Sequence, residues 1–276
     1  MIDRDLARFD AEIYRRCNRD LQDRSDAECR AHFEVYGRFE PRMFGCVDTT
    51  RERFSMRWLR GRGIEIGAGN SPLPLFGETT VRHADADPSL KFGGERADDV
   101  FSLDDPALFE RMAGGAYDFA VASHVLEHVD SLLHGLRNLI GLVRPGGFMY
   151  AAVPSSEFDH DGTWMPRFEF DHHVEELADP LRYARLHDEL VVAVYRRVPP
   201  DQWPRDAFHD DAFHAAVAAG RLPANGRFPH HKHSYDFQEW TRILIQSLDY
   251  LGQPARLVDS AFGAERMDCH FVLQRH

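Results

Sequence analysis

The sequence predicts an α/β protein built on a parallel sheet crossed by helices. Three observations carry this. Between about 60 and 155, short apolar segments of strand character alternate with amphipathic segments of helical period. The first strand-like segment, Gly63-Ile64-Glu65-Ile66, runs straight into a glycine turn, Gly67-Ala68-Gly69. Near the C-terminus, an amphipathic stretch over 237–251 precedes two more strand-like runs joined by a short connection containing Gly263. Strands alternating with helices need crossover connections, and those imply a parallel sheet.

The elements follow in order. Leu6, Phe9, Ile13 and Tyr14 recur at helical spacing, and a second helix is expected from Asp26, acting as cap with Glu28 nearby, to Gly37. A helix over Thr49 to Leu59 places Phe54, Trp58 and Leu59 on one side. The glycine-turn strand comes next. Thr80 to Asp87 reads as a second strand ending in acids, and Arg96 to Val100 as a weaker third or the turn after it. A helix around Pro106 to Met112, a fourth strand from Tyr117 to Ser123, a helix from Leu126 to Leu142 and a fifth strand from Phe148 to Val153 complete the alternation. Residues 156–233 break the rhythm. They are rich in Pro, His, Asp and aromatics, with helices near Asp179 to Val194 and Asp206 to Ala219. The closing helix, Phe237 to Leu251, and strands Ala255 to Ala261 and Met267 to Gln274 read as a helix and an antiparallel hairpin. The expected division is 1–48, a helical appendage; 49–155, a cofactor-binding core; 156–233, a substrate-side insertion; and 234–276, the segment that completes the core.

Composition bounds the function. With 276 residues, 43% of them hydrophobic, the chain can bury a sizeable core. A formal charge of −12 argues against a nucleic-acid partner, which needs a clustered basic surface. Cys17, Cys29, Cys46 and Cys269 show no C-x-x-C spacing and read as free thiols. Met1 to Asp5 lack the apolar core of a signal peptide, and no apolar run is long enough for a bilayer. The expectation is a cytoplasmic protein with no integral membrane segment.

The chemistry centres on the glycine turn. A strand followed by such a turn fits a nucleoside site, but Gly67-Ala68-Gly69 lacks the third glycine of the dinucleotide fingerprint, and Asn70-Ser71-Pro72 stands in its place. Pro72 could still begin a helix, so a nicotinamide cofactor remains the rival. Asp85 and Asp87 end the second strand, where a carboxylate can accept from both ribose hydroxyls; Asp98 or Asp99 ends the third. Each alone could equally be a solvated strand-end acid. In doubly wound sheets, however, ligands bind at the carboxyl ends of the strands.

Three ordered motifs sharpen this. Glu65-Ile66-Gly67-Ala68-Gly69, then Tyr117 to Val129 (YDFAVASHVLEHV), then Leu142-Val143-Arg144-Pro145-Gly146-Gly147 resemble those of class I S-adenosylmethionine-dependent methyltransferases. The resemblance implies a Rossmann-like seven-stranded sheet with an antiparallel last strand. It implies that Glu65, Gly67, Ala68, Gly69 and Asn70 surround the methionine part, that Asp85 or Asp87 holds the ribose, that Asp98 sits near adenine, and that Ser123 and His124 line the cofactor. Glu127-His128 reads as a pair fixing the strand-to-helix turn rather than as a catalytic dyad. The N-terminal stretch resembles a helical module of bacterial surface-polysaccharide enzymes through Tyr14, Asn18-Arg19-Asp20-Leu21, Ala31-His32-Phe33, Gly37-Arg38, Glu40 and Arg42. A packing or dimerisation appendage is an equal reading, so a homo-oligomer is among the expected assemblies.

The acceptor side is expected in the insertion, at His160-Asp161, Asp171-His172-His173 and His230-His231-Lys232-His233. A neutral histidine can take a hydroxyl proton at pH 7. His172, His173, Asp171 and His233 are the candidate catalytic residues. Histidines with Asp159, Asp161 or Asp171 could instead ligate a metal, but no recognised ligand spacing occurs, so none is expected. Trp164, Phe168, Phe170 and Trp240 could stack on a ring, although packing is the commoner use. The expected reaction is methyl transfer from S-adenosylmethionine to an oxygen, or a nitrogen, of a small-molecule or glycan acceptor, with a role in surface-polysaccharide synthesis suggested by the N-terminal resemblance. A binding module that has lost catalysis is the remaining alternative.

Overall fold

The computed structural model describes residues 6–276 apart from 7, 41, 46, 48, 70–71, 77–78, 87–90, 93–94, 112–114, 158–163, 204–210, 223–230 and 264–267. Asn70, Asp87, Asp159, His160, Asp161 and His230 therefore lie outside the described residues.

Two short helices lead. Asp10 caps α1 (Ala11–Cys17), accepting from the Ile13 N–H at 2.9 Å. Helix α2 (Asp26–Val35) is capped by Ser25, not Asp26: Ser25 and Glu28 satisfy each other's backbone N–H groups in a capping box, and Asp26 is the first helical residue. The residues that carry the N-terminal resemblance hold one another. Tyr14 meets His32 Nδ1 at 2.9 Å, Asn18 donates to the Tyr14 and Met43 carbonyls, and Arg42 grips Asp20 through two bonds. Tyr14, Leu21, Cys29, Phe33 and Phe44 form a buried cluster that closes on Met56 and Phe76 of the following unit.

Helix α3 (Thr50–Trp58), capped by Thr49, leads into the sheet. Its strands are β1 (Gly61–Ile66), β2 (Thr79–Asp85), β5 (Asp99–Val100), β6 (Tyr117–Ser123), β7 (Val143–Pro154), β8 (Ala255–Gly263) and β9 (Asp268–Arg275), in the order β5-β2-β1-β6-β7-β9-β8. A small hairpin, β3 (Lys91–Phe92) with β4 (Glu95–Arg96), stands apart. Pairing is parallel from β5 to β7, and β9 runs antiparallel to both β7 and β8. This is the Rossmann-like seven-stranded α/β fold with an antiparallel last strand. Buried side chains along β1 and β6 explain why those two strands sit centrally. One sheet face packs on α5 (Leu132–Leu142) and α9 (Phe237–Leu251), and the other on Phe54 and Leu59 around α3. Helix α4 (Leu108–Arg111) is a single turn.

Several boundaries differ from expectation. Helix α5 starts at Leu132 with Ser131 as cap, because residues 126–129 are a turn whose His128 N–H donates to Val125 O and the Asp130 N–H is drawn to Asp104. The Arg144 to Gly147 segment continues β7 rather than turning into it, with the register irregularity taken up between Tyr117 and Phe119. The insertion carries α6 (Phe170–Ala178), unforeseen, then α7 (Pro180–Tyr195) and α8 (Asp211–Ala218). Met165, Val191, Tyr195, Trp203 and Phe213 give it a cluster of its own. Among the described residues no helix is long and apolar enough to cross a membrane.

Candidate active site

The site forms where β1, β2 and β6 end. Glu65 lies on β1 with 1% of its surface exposed. Its Oε1 accepts from the Leu73 N–H at 2.9 Å, and Oε2 has no hydrogen bond, with His83 Nδ1 3.7 Å away. Burial pushes the carboxyl up to about 7 against the Leu73 bond and the nearby Arg51, which pull it down. Ala68 is buried between two glycines in the left-handed region, Gly67 at φ 67° and Gly69 at φ 52°. The two serve different ends. A Cβ on Gly67 would stand 2.6 Å from Val125 Cγ2, so this glycine packs against the fold. A Cβ on Gly69 would meet nothing within 4 Å, so that position opens outward.

Asp85 is buried at the end of β2. Asp98, by contrast, is exposed and accepts the His83 N–H with Oδ2 at 2.8 Å, which fastens the sheet edge between β2 and β5. Ser123 is buried at the end of β6, and His124 follows at φ 57°, a strained position for a non-glycine residue. Its N–H donates to Ala152 O at 2.8 Å. Its ring lies between two carboxylates, Nδ1 3.4 Å from Glu127 Oε1 and Nε2 3.3 Å from Asp268 Oδ2. Burial alone would lower the His124 pKa, but Asp268 and Glu127 outweigh it and raise it to about 10. Glu127 is fully buried and held at about 2: desolvation pushes it up, and His128, His124 and His231 pull it further down. The His128 and His231 rings stand 4.8 Å apart beside it.

The candidate bases assemble elsewhere, around Glu176. His173 Nδ1 lies 3.0 Å from Glu176 Oε2 and its Nε2 2.8 Å from the Tyr235 hydroxyl. His233 Nε2 lies 2.9 Å from Glu176 Oε1, and His172 and His187 reach the same oxygen at 3.0 and 3.3 Å. His173 and His233 are completely buried, each with one ring nitrogen on Glu176. A base must reach the proton it takes, and burial keeps these two rings from solvent. Asp171 is exposed in the first turn of α6, where its charge suits the helix N-terminus. Burial would raise the Glu176 carboxyl, yet His233 and the other rings hold it well below the usual range. Glu176, His187, Tyr235 and Asp268 were missed from the sequence. Only His187 carried a signal, a histidine one helix beyond the His172-His173 pair; the acids lie in amphipathic or strand context that marks nothing.

A family model described as "Methyltransferase domain" matches residues 40–198, more than half of the chain. The chain belongs to this family: it has the class I methyltransferase fold, and its cofactor is S-adenosylmethionine. The nicotinamide rival is thereby set aside. No curated protein matches the sequence. Among solved structures, the CurJ carbon methyltransferase is 16% identical, with 78% of this chain and 48% of that one covered and a TM-score of 0.38. An O-methyltransferase family protein from Burkholderia thailandensis is 14% identical over 78% of this chain and 51% of that one, with a TM-score of 0.37. A Thermotoga maritima protein described as a possible histamine N-methyltransferase is 12% identical over 96% of this chain and 99% of that one, with a TM-score of 0.38. The chain spans about half the length of the first two.

The residues present suit the cofactor. The unpaired Glu65 Oε2 is a buried acceptor that the ammonium of a methionine moiety would satisfy. The open face of Gly69 lets a ligand approach the backbone.

Proposed function

We propose that the protein transfers a methyl group to an oxygen, or a nitrogen, of a small or carbohydrate acceptor that enters over residues 156–233. One observation carries this reading. The ring of His231, from that segment, lies 4.8 Å from that of His128, tilted by 39°, just beyond the strand end that carries Ser123 and His124. The cofactor supplies a methyl made electrophilic by its sulfonium. The chain's task is to hold the acceptor atom in line and to take a proton from it when that atom is a hydroxyl. His128 and His231 are partly exposed and flank the Glu127 carboxylate, so they suit the proton-accepting role better than His172, His173, His233 or Asp171. His124, held protonated between two acids, acts by position and charge. Glu65 and the Gly67-Ala68-Gly69 turn orient the methionine part, and Asp85 the ribose. The carbohydrate acceptor, and with it a role in surface-polysaccharide synthesis, is supported by the N-terminal resemblance alone.

Calorimetry with S-adenosylhomocysteine tests the cofactor end, and S-adenosylhomocysteine release over a panel of sugar hydroxyls and amines tests the acceptor. Binding with turnover on sugar hydroxyls is expected. A folded sample that fails to bind S-adenosylhomocysteine refutes the reading; binding without turnover on any acceptor favours a non-catalytic module.

A further inference from the structure

We propose that the insertion holds a divalent transition-metal ion of the zinc type, ligated by His172 Nε2, His187 Nε2 and Glu176 Oε1. The three atoms form a nearly equilateral triangle. His172 Nε2 to His187 Nε2 is 3.1 Å, His172 Nε2 to Glu176 Oε1 is 3.0 Å, and His187 Nε2 to Glu176 Oε1 is 3.3 Å. An ion bound at about 2.1 Å by such atoms sets neighbouring ligands about 3.0 to 3.4 Å apart, whether octahedral or tetrahedral. His172 and Glu176 are four residues apart on one face of α6, and His187 comes from α7, so two packed helices present the donors. Two imidazoles and a carboxylate are the donor set of zinc and its first-row neighbours, not of calcium or magnesium.

A proton count favours an ion over hydrogen bonds alone. Five nitrogens converge on the Glu176 carboxylate. His172, His187 and His233 approach Oε1, while His173 Nδ1 and the Leu132 N–H, at 3.0 and 3.2 Å, approach Oε2. A carboxylate offers about four lone-pair sites. If His172 and His187 both carried a proton on Nε2, the two would face each other while aiming at one oxygen. An ion removes both protons and takes the lone pairs instead. The rival is a metal-free cluster in which Nε2–H groups serve Glu176 and the buried, unpartnered Nδ1 atoms of His187 and His233 are bare acceptors.

The surroundings fix the ligands. Phe168 stacks on the His172 ring at 3.8 Å with planes 4° apart. The second carboxyl oxygen, Oε2, is held by His173, which Tyr235 holds in turn. Glu176 and His187 are fully buried, and the 14% exposure of the His172 side chain marks the route in. The ion would tie α6 to α7 and, through Glu176 and Leu132, to the first turn of α5. Its role is structural: it clips the acceptor-side insertion onto the cofactor sheet.

The test is metal content and affinity of the full chain. Protein stripped with chelator is titrated with Zn(II) against a competing indicator, which discounts weak binding by the 16 histidines, and with Co(II), whose visible absorption reports the ligand set. One tight equivalent is expected, with a rise in melting temperature. His172→Asn, at the partly exposed ligand, keeps the fold and weakens Zn(II) by at least about tenfold; His187→Asn does the same where it folds. Two other groups could also hold an ion: Glu127 with His128 and His231, and Glu176 with His173 and His233. Tight binding that survives His172→Asn but is lost in His231→Asn or in His233→Asn places the ion in one of these and overturns the proposal. A folded wild-type protein that binds no tight Zn(II) or Co(II) overturns it too, in favour of the hydrogen-bonded cluster.

Discussion

Replacing Glu65 with Gln isolates the charge of the buried carboxyl. In the folded chain that group is pushed from 4.5 up to about 7. For an acid so shifted, the neutral form is favoured on folding. The cost is absent below pH 4.5, grows between 4.5 and about 7, and is fully present above. At about 1.4 kcal/mol per pH unit, ionised Glu65 costs the fold about 1 kcal/mol at pH 5 and about 3 kcal/mol at pH 8. Glutamine keeps the acceptor for the Leu73 N–H and removes the charge. Its new amide N–H₂ brings a cost of its own, about 1–3 kcal/mol where unsatisfied, which is the same at both pH values. The readout is therefore the change in the variant-minus-wild-type stability between pH 5 and pH 8, measured from urea unfolding midpoints. It should move by about 2 kcal/mol in favour of the variant at pH 8. S-adenosylhomocysteine should bind the wild type more weakly as pH falls below about 7, and the variant weakly at every pH. A stability difference independent of pH would show that Glu65 ionises normally, and the reasoning would fail.

Gly69→Ala should cost the fold only about 1–2 kcal/mol, for a left-handed alanine in open space, yet weaken S-adenosylhomocysteine at least tenfold by calorimetry. Gly67→Val should instead lower the melting temperature sharply, because its Cβ meets Val125; unchanged stability would contradict the packing. Asp268→Asn should drop the His124 pKa from about 10, seen by NMR titration of the ring, and remove part of the stability that the wild type holds fully below pH 6.5 and loses as pH rises through about 10, the rest staying with Glu127. Gly37→Ala should destabilise the N-terminal unit by about 1–3 kcal/mol, read by limited proteolysis, since the added Cβ would overlap the Tyr14 hydroxyl.

The sheet was legible because its signals are local. Apolar alternation marked β1 and β6, and the spacing of Trp240, Ile243, Leu244 and Leu248 marked α9. The turn after β1 was legible because a glycine turn writes its backbone requirement into the sequence, and both expected glycines sit at positive φ. What the pattern did not distinguish was why each glycine is there, which depends on Val125 some sixty residues away. Helix α5 was read too long because Leu126 fell on the helical period while Asp104, far back in the chain, held the Asp130 and Ser131 N–H groups in a turn. The surroundings of the base candidates were hidden for a similar reason. His172, His173 and His233 were visible, but their partner Glu176 looks in sequence like any acid on an amphipathic helix, and only packing turns it inward.

The stretch from Ser123, at the end of β6, to Leu132, at the start of α5, ties the sheet to the insertion. In the proposed function its first residues, Ser123 and His124, line the cofactor. Its Glu127 carbonyl accepts the N–H groups of Lys232 and His233 at 2.7 and 3.1 Å, and Asp130 pairs with the Lys232 ammonium. Its last step, the Leu132 N–H at the start of α5, donates to Glu176. The ten residues from Ser123 to Leu132 thus receive the insertion at three points, two of them through buried groups. Such anchoring leaves the insertion little freedom to move independently of the ends of β6 and α5, because any shift would strand buried polar groups at about 1–3 kcal/mol each. Methyl transfer needs the acceptor atom in line with a fixed methyl. In the proposed function the Glu127–Lys232 and Glu176–Leu132 contacts would supply that constraint from the acceptor side, and the strained His124 backbone, bonded to Ala152, from the cofactor side.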